Sequence, residues 1–146
     1  MIKEFVQAWE LNKQNLETHL RTTKQKEYSN YVDLVKLVFD IIINPEMPKY
    51  RRFITDDITV LGDDDYQGDA VFILHENYAD EISDYVYTHC YYGSCEVCDT
   101  LMGIRDYDDT VDCIPNDQQV EDYMTLCLHI VQRCKYMIDG ERYKEE

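Results

Sequence analysis

No run of about 18 consecutive apolar residues occurs in the chain, so no segment is read as crossing a bilayer. The opening residues, MIKEFVQAWELNK, lack the apolar stretch and small-residue cleavage site of a secretory leader and carry acids early. Internal repeats and low-complexity tracts are missing too. So are the common catalytic signatures: there is no G-x-S-x-G, no glycine-rich phosphate loop and no H-E-x-x-H. The four histidines form no set, and His129 falls about 200° round a helix from Cys127. No catalytic constellation emerges, and the chain reads as non-enzymatic. The missing leader points to the cytoplasm. Thiols stay reduced there, so the six cysteines read as core residues, metal ligands or redox groups before they read as disulfides.

Positive charge is scarce, and its scarcity is local. The net charge is -16. From Asp56 to Asp122 there are 19 Asp and Glu residues and one base, Arg105, while the rest of the chain is nearly neutral. A field of one sign this strong repels phosphates, which argues against direct nucleic-acid binding. It attracts basic surfaces, including the clefts of nucleic-acid-binding proteins. Solubility alone would also account for it.

The 146 residues suit a single domain, with a helical part over 1–45 and a sheet, a cysteine turn and a helix over 56–146. Ile2, Phe5, Val6, Trp9, Leu16 and Leu20 have helical spacing. A second helix is predicted over YSNYVDLVKLVFDIIIN, stopped by Asn44-Pro45. Strand signals follow at 58–61, 70–74 and 84–92, the first two joined by the acidic hairpin GDDDYQGD. In the third strand, alternation puts Tyr85, Tyr87, His89 and Tyr91 on one face and Val86, Thr88, Cys90 and Tyr92 on the other. A short helix follows the cysteine turn. A long one starts at the N-cap Asn116, its apolar stripe running from Val120 through Tyr123, Cys127, Val131 and Cys134 to Ile138. The predicted architecture is α+β: two N-terminal helices, a three-stranded antiparallel meander, a short helix and a long C-terminal helix, with helices on one sheet face.

The chemistry-bearing stretch is CYYGSCEVC, Cys90 to Cys98, spaced C-x4-C-x2-C. Plant-type ferredoxins use that spacing with a distant fourth cysteine, for which Cys127 is the candidate. Against this, Cys127 sits on a helix stripe and Glu96 would place a carboxylate beside an anionic cluster. Zinc would need four ligands, and there is no second C-x-x-C; Cys90, Cys95, Cys98 and Cys113 are the candidate set. A thiol–disulfide site on Cys95 and Cys98 is a third reading, and a packed thiol turn requiring no cofactor is the fourth and simplest. The hairpin tested as a calcium loop lacks the bidentate glutamate, since Leu74 stands at position twelve. The 13 tyrosines, several among the acids, suit a protein-binding surface. Asp63, Asp64, Asp65 and Tyr66, with Asp106, Tyr107, Asp108 and Asp109, are its candidate residues.

At DDYQGD (64–69) and YYGSCEVCDTL (91–101) the chain resembles a family of small uncharacterised acidic proteins of phages and prophages. In that family a D-Y-Q-G hairpin precedes a strand and Y-G-S-C-x-x-C-D-T-L follows it. MTLCLHIVQ (124–132) resembles its last helix. The resemblance spans roughly residues 58–138 and brings no established activity with it. It implies that Cys95 and Cys98 are the paired thiols and Cys90 an extra one. Phages encode many small acidic proteins that bind and block host machinery, so a phage origin makes an inhibitor of a host defence or nucleic-acid enzyme the expectation. The leading expectation is therefore a binding protein whose partner has a basic surface. A metal or redox protein centred on the thiols, and a structural phage component, are the rivals.

Overall fold

The computed structural model describes residues 1–95, 97–105 and 111–138. Helix α1 (Lys3–Thr22) buries Phe5, Ala8, Trp9, Leu16 and Leu20, the i, i+3, i+4 stripe written in its sequence. Asn12 lies on the same face, where its Nδ2 donates to the Ile42 carbonyl at 2.9 Å. Helix α2 (Tyr31–Leu37) does not run regularly to Asn44. It opens into a wide π-type turn over Val38–Ile43 that keeps Val38, Phe39, Ile42 and Ile43 buried. Such turns occur where tertiary contacts outbid regular pitch, and Asn12 holds one of the carbonyls involved. Phe5, Phe39 and Phe53 then meet edge to face, their centroids 5.3 to 6.0 Å apart.

The sheet has four antiparallel strands in the order β1-β2-β3-β4: Thr59–Leu61, Gly68–His75, Tyr85–Tyr92 and Lys135–Tyr136. β2 and β3 pair along their whole length, from Gly68 against Tyr92 to His75 against Tyr85. The alternation of β3 is as the sequence predicts, and β2 alternates with it through the register. Ala70, Phe72, Leu74, Val86, Thr88 and Cys90 are buried against the helices. Buried Thr88 needs a hydrogen-bond partner, and its Oγ1 donates to the Ile130 carbonyl at 2.9 Å, tying β3 to the last helix.

Two corrections arise in the C-terminal part. After the short helix α3 (Thr100–Arg105), helix α4 spans Asp117–Gln132 rather than continuing through 138. The residues after it form the fourth strand, where three strands were expected: Val86 pairs with Tyr136, Tyr87 with Lys135, and the Met137 N–H donates to the Tyr85 carbonyl. The helical stripe therefore ends at Val131, and Ile138 is 40% exposed. The open edge of β3 offers a row of unpaired backbone groups, and satisfying them outweighs a weak helical preference.

Candidate functional site

The cysteine turn is built from backbone outward. β3 ends at Tyr92 and α3 begins at Thr100, and between them Asp99 acts as the organiser. It is 5% exposed. One carboxylate oxygen accepts from the Gly93 N–H at 2.9 Å, the other from the Met102 N–H at 3.0 Å and the Tyr31 hydroxyl at 2.8 Å. Tyr31 in turn accepts from the Leu101 N–H at 3.1 Å, so α2 is bolted to the turn. The Cys98 and Asp99 N–H groups both donate to the Cys95 carbonyl, at 3.2 and 2.9 Å.

This frame sets the two thiols side by side. The Sγ atoms of Cys95 and Cys98 are 2.9 Å apart, and the Cys95 N–H donates to Cys98 Sγ at 3.2 Å. Gly93 is required by close approach rather than by conformation: a Cβ there would sit 2.6 Å from Cys98 Sγ and 2.8 Å from the Cys98 carbonyl. The hydrogen bond from the Cys95 side chain, helped by the Cys95 and Ser94 backbone, holds the Cys98 thiol below its ordinary value. Both thiols are half-buried, and Val97 between them is 93% exposed.

The other cysteines are placed differently. Burial pushes Cys90 and Cys134 up to about 12 and raises Cys127 further still. All three are core residues. Cys127 lies on the buried stripe of α4, as its helical spacing required. Cys113 is exposed, and its carbonyl accepts from the Gln25 N–H at 3.0 Å, on the connection following α1. Of the four candidate metal ligands the fold thus brings Cys95 and Cys98 into contact. Among the described residues no group of three or more His, Cys, Asp or Glu side chains is placed to hold an ion.

The acidic candidates divide as well. Asp106, Tyr107, Asp108 and Asp109 lie outside the described residues, as does Glu96. Asp63, Asp64, Asp65 and Tyr66 form the tip of the β1–β2 hairpin, and Tyr66 is 83% exposed. Gly62 starts the turn with φ +80, a conformation that favours glycine. The Tyr92 hydroxyl anchors the tip, donating to the Gly62 carbonyl at 2.8 Å and accepting from the Asp65 N–H at 3.2 Å.

Folding also redistributes charge. Basic residues of the N-terminal helices reach across to the acidic middle: Lys36 pairs with Asp56 at 2.7 Å, Lys26 with Asp112 at 3.6 Å and Arg21 with Asp117 at 2.7 Å. His75 faces Asp57 and His89 faces Asp69. Among the described residues no ion pair reaches Asp63, Asp64 or Asp65.

Beside this tip lies a surface that the strand alternation only half announced. Tyr85, Tyr87, His89 and Tyr91 share the outer sheet face with Leu61, Val71 and Ile73 through the register Leu61–Val71–His89 and Thr59–Ile73–Tyr87. Tyr91 is 47% and Leu61 52% exposed. A shallow hollow of about 530 Å³ is set at one end, between Ile73, Tyr85, Ile82 and Met137, with Asp80 and Glu81 on its margin. Period-two reading of β2 together with β3 would have found this face; the Tyr31–Asp99 link, 68 residues apart, had no signal in the sequence. Comparison of the chain with protein-family models, with curated proteins and with solved structures finds no match.

Proposed function

We propose that the protein is a non-enzymatic binding protein that engages a partner with a basic surface. The observation that carries this is the hairpin tip: three consecutive aspartates without an ion pair among the described residues, and a tyrosine 83% exposed beside them. Exposed aromatic area within an anionic rim is what a cationic protein surface recognises. The adjacent sheet face supplies further tyrosines and aliphatic area of the kind buried at interface centres. The excess of acids over bases from Asp56 to Asp122 presents the sign of charge that a nucleic-acid-binding cleft attracts, which favours a nucleic-acid-binding protein as the partner class. The likeness of the two quoted motifs to phage proteins adds host defence or nucleic-acid enzymes to that class.

The test is competition. A basic DNA-binding protein holding a labelled duplex is titrated with the chain at about 0.05 and 0.5 M salt. The duplex is expected to be released at low salt and retained at high salt. The variant Asp63→Asn/Asp64→Asn/Asp65→Asn/Tyr66→Ala should release it at least tenfold less effectively, a loss of about 1.4 kcal/mol or more. Release indifferent to salt, or equal release by the variant, removes the proposal. One observation favours a second reading, a small metal protein: the adjoining Cys95 and Cys98 thiols would supply two of the four ligands a zinc site needs. Stoichiometric zinc in freshly purified protein would put that reading first.

A further inference from the structure

Independently of any partner at the hairpin, we infer that Cys95 and Cys98 form a reversible dithiol–disulfide site that reacts with neutral or cationic disulfides in preference to anionic ones. Three observations converge. The sulfur atoms are already 2.9 Å apart in the thiol state, so closing the bond asks for under 1 Å of movement. The turn that holds them is fixed from outside the pair, by the buried Asp99 carboxylate and its three donors, Gly93, Met102 and Tyr31. Closing or opening the S–S bond therefore leaves the frame intact. Access is also selective: Cys95 and Cys98 are half-buried behind exposed Val97, whereas Cys90, Cys127 and Cys134 are sealed in the core.

Bonding is balanced as follows. The Cys98 sulfur, as thiolate, attacks one sulfur of a disulfide RS–SR; a Cys98–SR bond forms, the S–S bond breaks, and RS⁻ leaves and takes up the proton that Cys98 gave to solvent. The Cys95 sulfur, its proton passing to solvent, then attacks Cys98 Sγ. The intramolecular bond forms and the second RS⁻ leaves to become RSH. Two protein thiols are oxidised, and one disulfide is reduced to two thiols. Cys98 is the better first nucleophile because the Cys95 N–H donates to its sulfur at 3.2 Å and so favours the thiolate there. Charge sets the choice of disulfide. The turn lies within the segment from Asp56 to Asp122, which carries 19 acids and one base. An anionic disulfide such as oxidised glutathione is repelled on approach, and a cationic one such as cystamine is drawn in.

The experiment treats the reduced full chain with equimolar cystamine or oxidised glutathione at about 0.02 M salt. Free thiols are alkylated at intervals and the masses and linked peptides are read. Expected is a species two hydrogens lighter, linked Cys95 to Cys98, forming at least about tenfold faster with cystamine than with glutathione, the ratio shrinking in 0.5 M salt. Cys95→Ser should stop at a stable mixed disulfide on Cys98, and Cys113→Ser should leave the rate unchanged. A lasting mixed disulfide in the wild-type chain, linkage through Cys113, or no oxidation overturns the site. Equal rates with the two reagents overturn its selectivity.

Discussion

Asp99 shows how one buried carboxylate can define a site without taking part in its chemistry. Its three donors come from Gly93, Met102 and Tyr31, which is to say from the end of β3, the start of α3 and α2. Removing the acceptor strands two backbone N–H groups and a half-buried phenol. Asp99→Ala should therefore cost about 2–4 kcal/mol in urea unfolding, whereas Asp64→Ala, at an exposed position, should change little. Tyr31→Phe removes a donor to Asp99 and the acceptor of the Leu101 N–H but leaves the ring, so about 1–2 kcal/mol is expected. Equal losses for Asp99→Ala and Tyr31→Phe would mean that the phenol is the dominant partner. Gly93 is constrained for a different reason. A methyl group there meets backbone and sulfur of Cys98 at 2.6 to 2.8 Å, and neither is the loose end of a flexible side chain. Gly93→Ala should lower stability by about 1–3 kcal/mol and move the two thiols apart. The second effect is readable as slower capture by a bifunctional arsenical that needs both sulfurs. Capture at the wild-type rate would show that the turn yields without disturbing them.

At the scale of elements, β3 and α4 meet through thiols and one threonine. Burial raises Cys90 and Cys134 to about 12 and Cys127 upward, from an ordinary value of 9.0. An unfolded chain releases these protons above about pH 9, while the folded one keeps them until about 12. The folded state thus binds more protons in that window, and stability that is fully present below pH 9 drains away as pH rises towards 12. Each thiol can contribute up to about 1.4 kcal/mol per pH unit. Under reducing conditions the urea midpoint should fall steeply between pH 9 and 10, and Cys134→Ala should flatten that slope even though it lowers the midpoint at pH 8. A slope unchanged by the substitution would place the titration elsewhere. These elements also show what a sequence can convey. The start of α4 was legible because its signal is local: Asn116 and Gln119 cap each other at 2.8 and 2.9 Å. The faces of β3 were legible because alternation is local too. β4 was not, since Lys135 and Tyr136 continue a helical pattern and only the edge of β3, some fifty residues earlier, makes them a strand. The π-type turn answers to Asn12, thirty residues away. In the site the same rule holds. The Cys95–Cys98 pair could be read from spacing, and alternation put Cys90 on one strand face with Val86 and Thr88, but which face is buried only the fold decides. The phenol–carboxylate link that steadies the turn could not be read.

For the whole molecule the governing quantity is the net charge of -16 on a chain of 17.4 kDa. Two terms of opposite sign respond to salt. Mutual repulsion among the carboxylates destabilises the folded state and is relieved as salt shortens the screening length from about 30 Å at 0.01 M to about 10 Å at 0.1 M. The ion pairs that carry N-terminal bases onto the acidic middle, Arg21–Asp117, Lys36–Asp56 and Lys26–Asp112, are weakened by the same screening. Their aspartates are 79 to 96% exposed, so water and salt screen these pairs and each contributes little. Repulsion spread over 30 acids against 14 bases should therefore win, and the melting temperature should rise by several degrees between about 0.02 and 0.5 M sodium chloride. The hairpin sharpens the test, because Asp63, Asp64 and Asp65 contribute to repulsion without belonging to any of those pairs. Replacing all three by Asn should raise the melting temperature at low salt and reduce the dependence on salt. A melting temperature that falls as salt is added would mean that the cross-chain pairs outweigh the repulsion. The hairpin charge would then be tolerated at no cost, and its retention would need no partner to account for it.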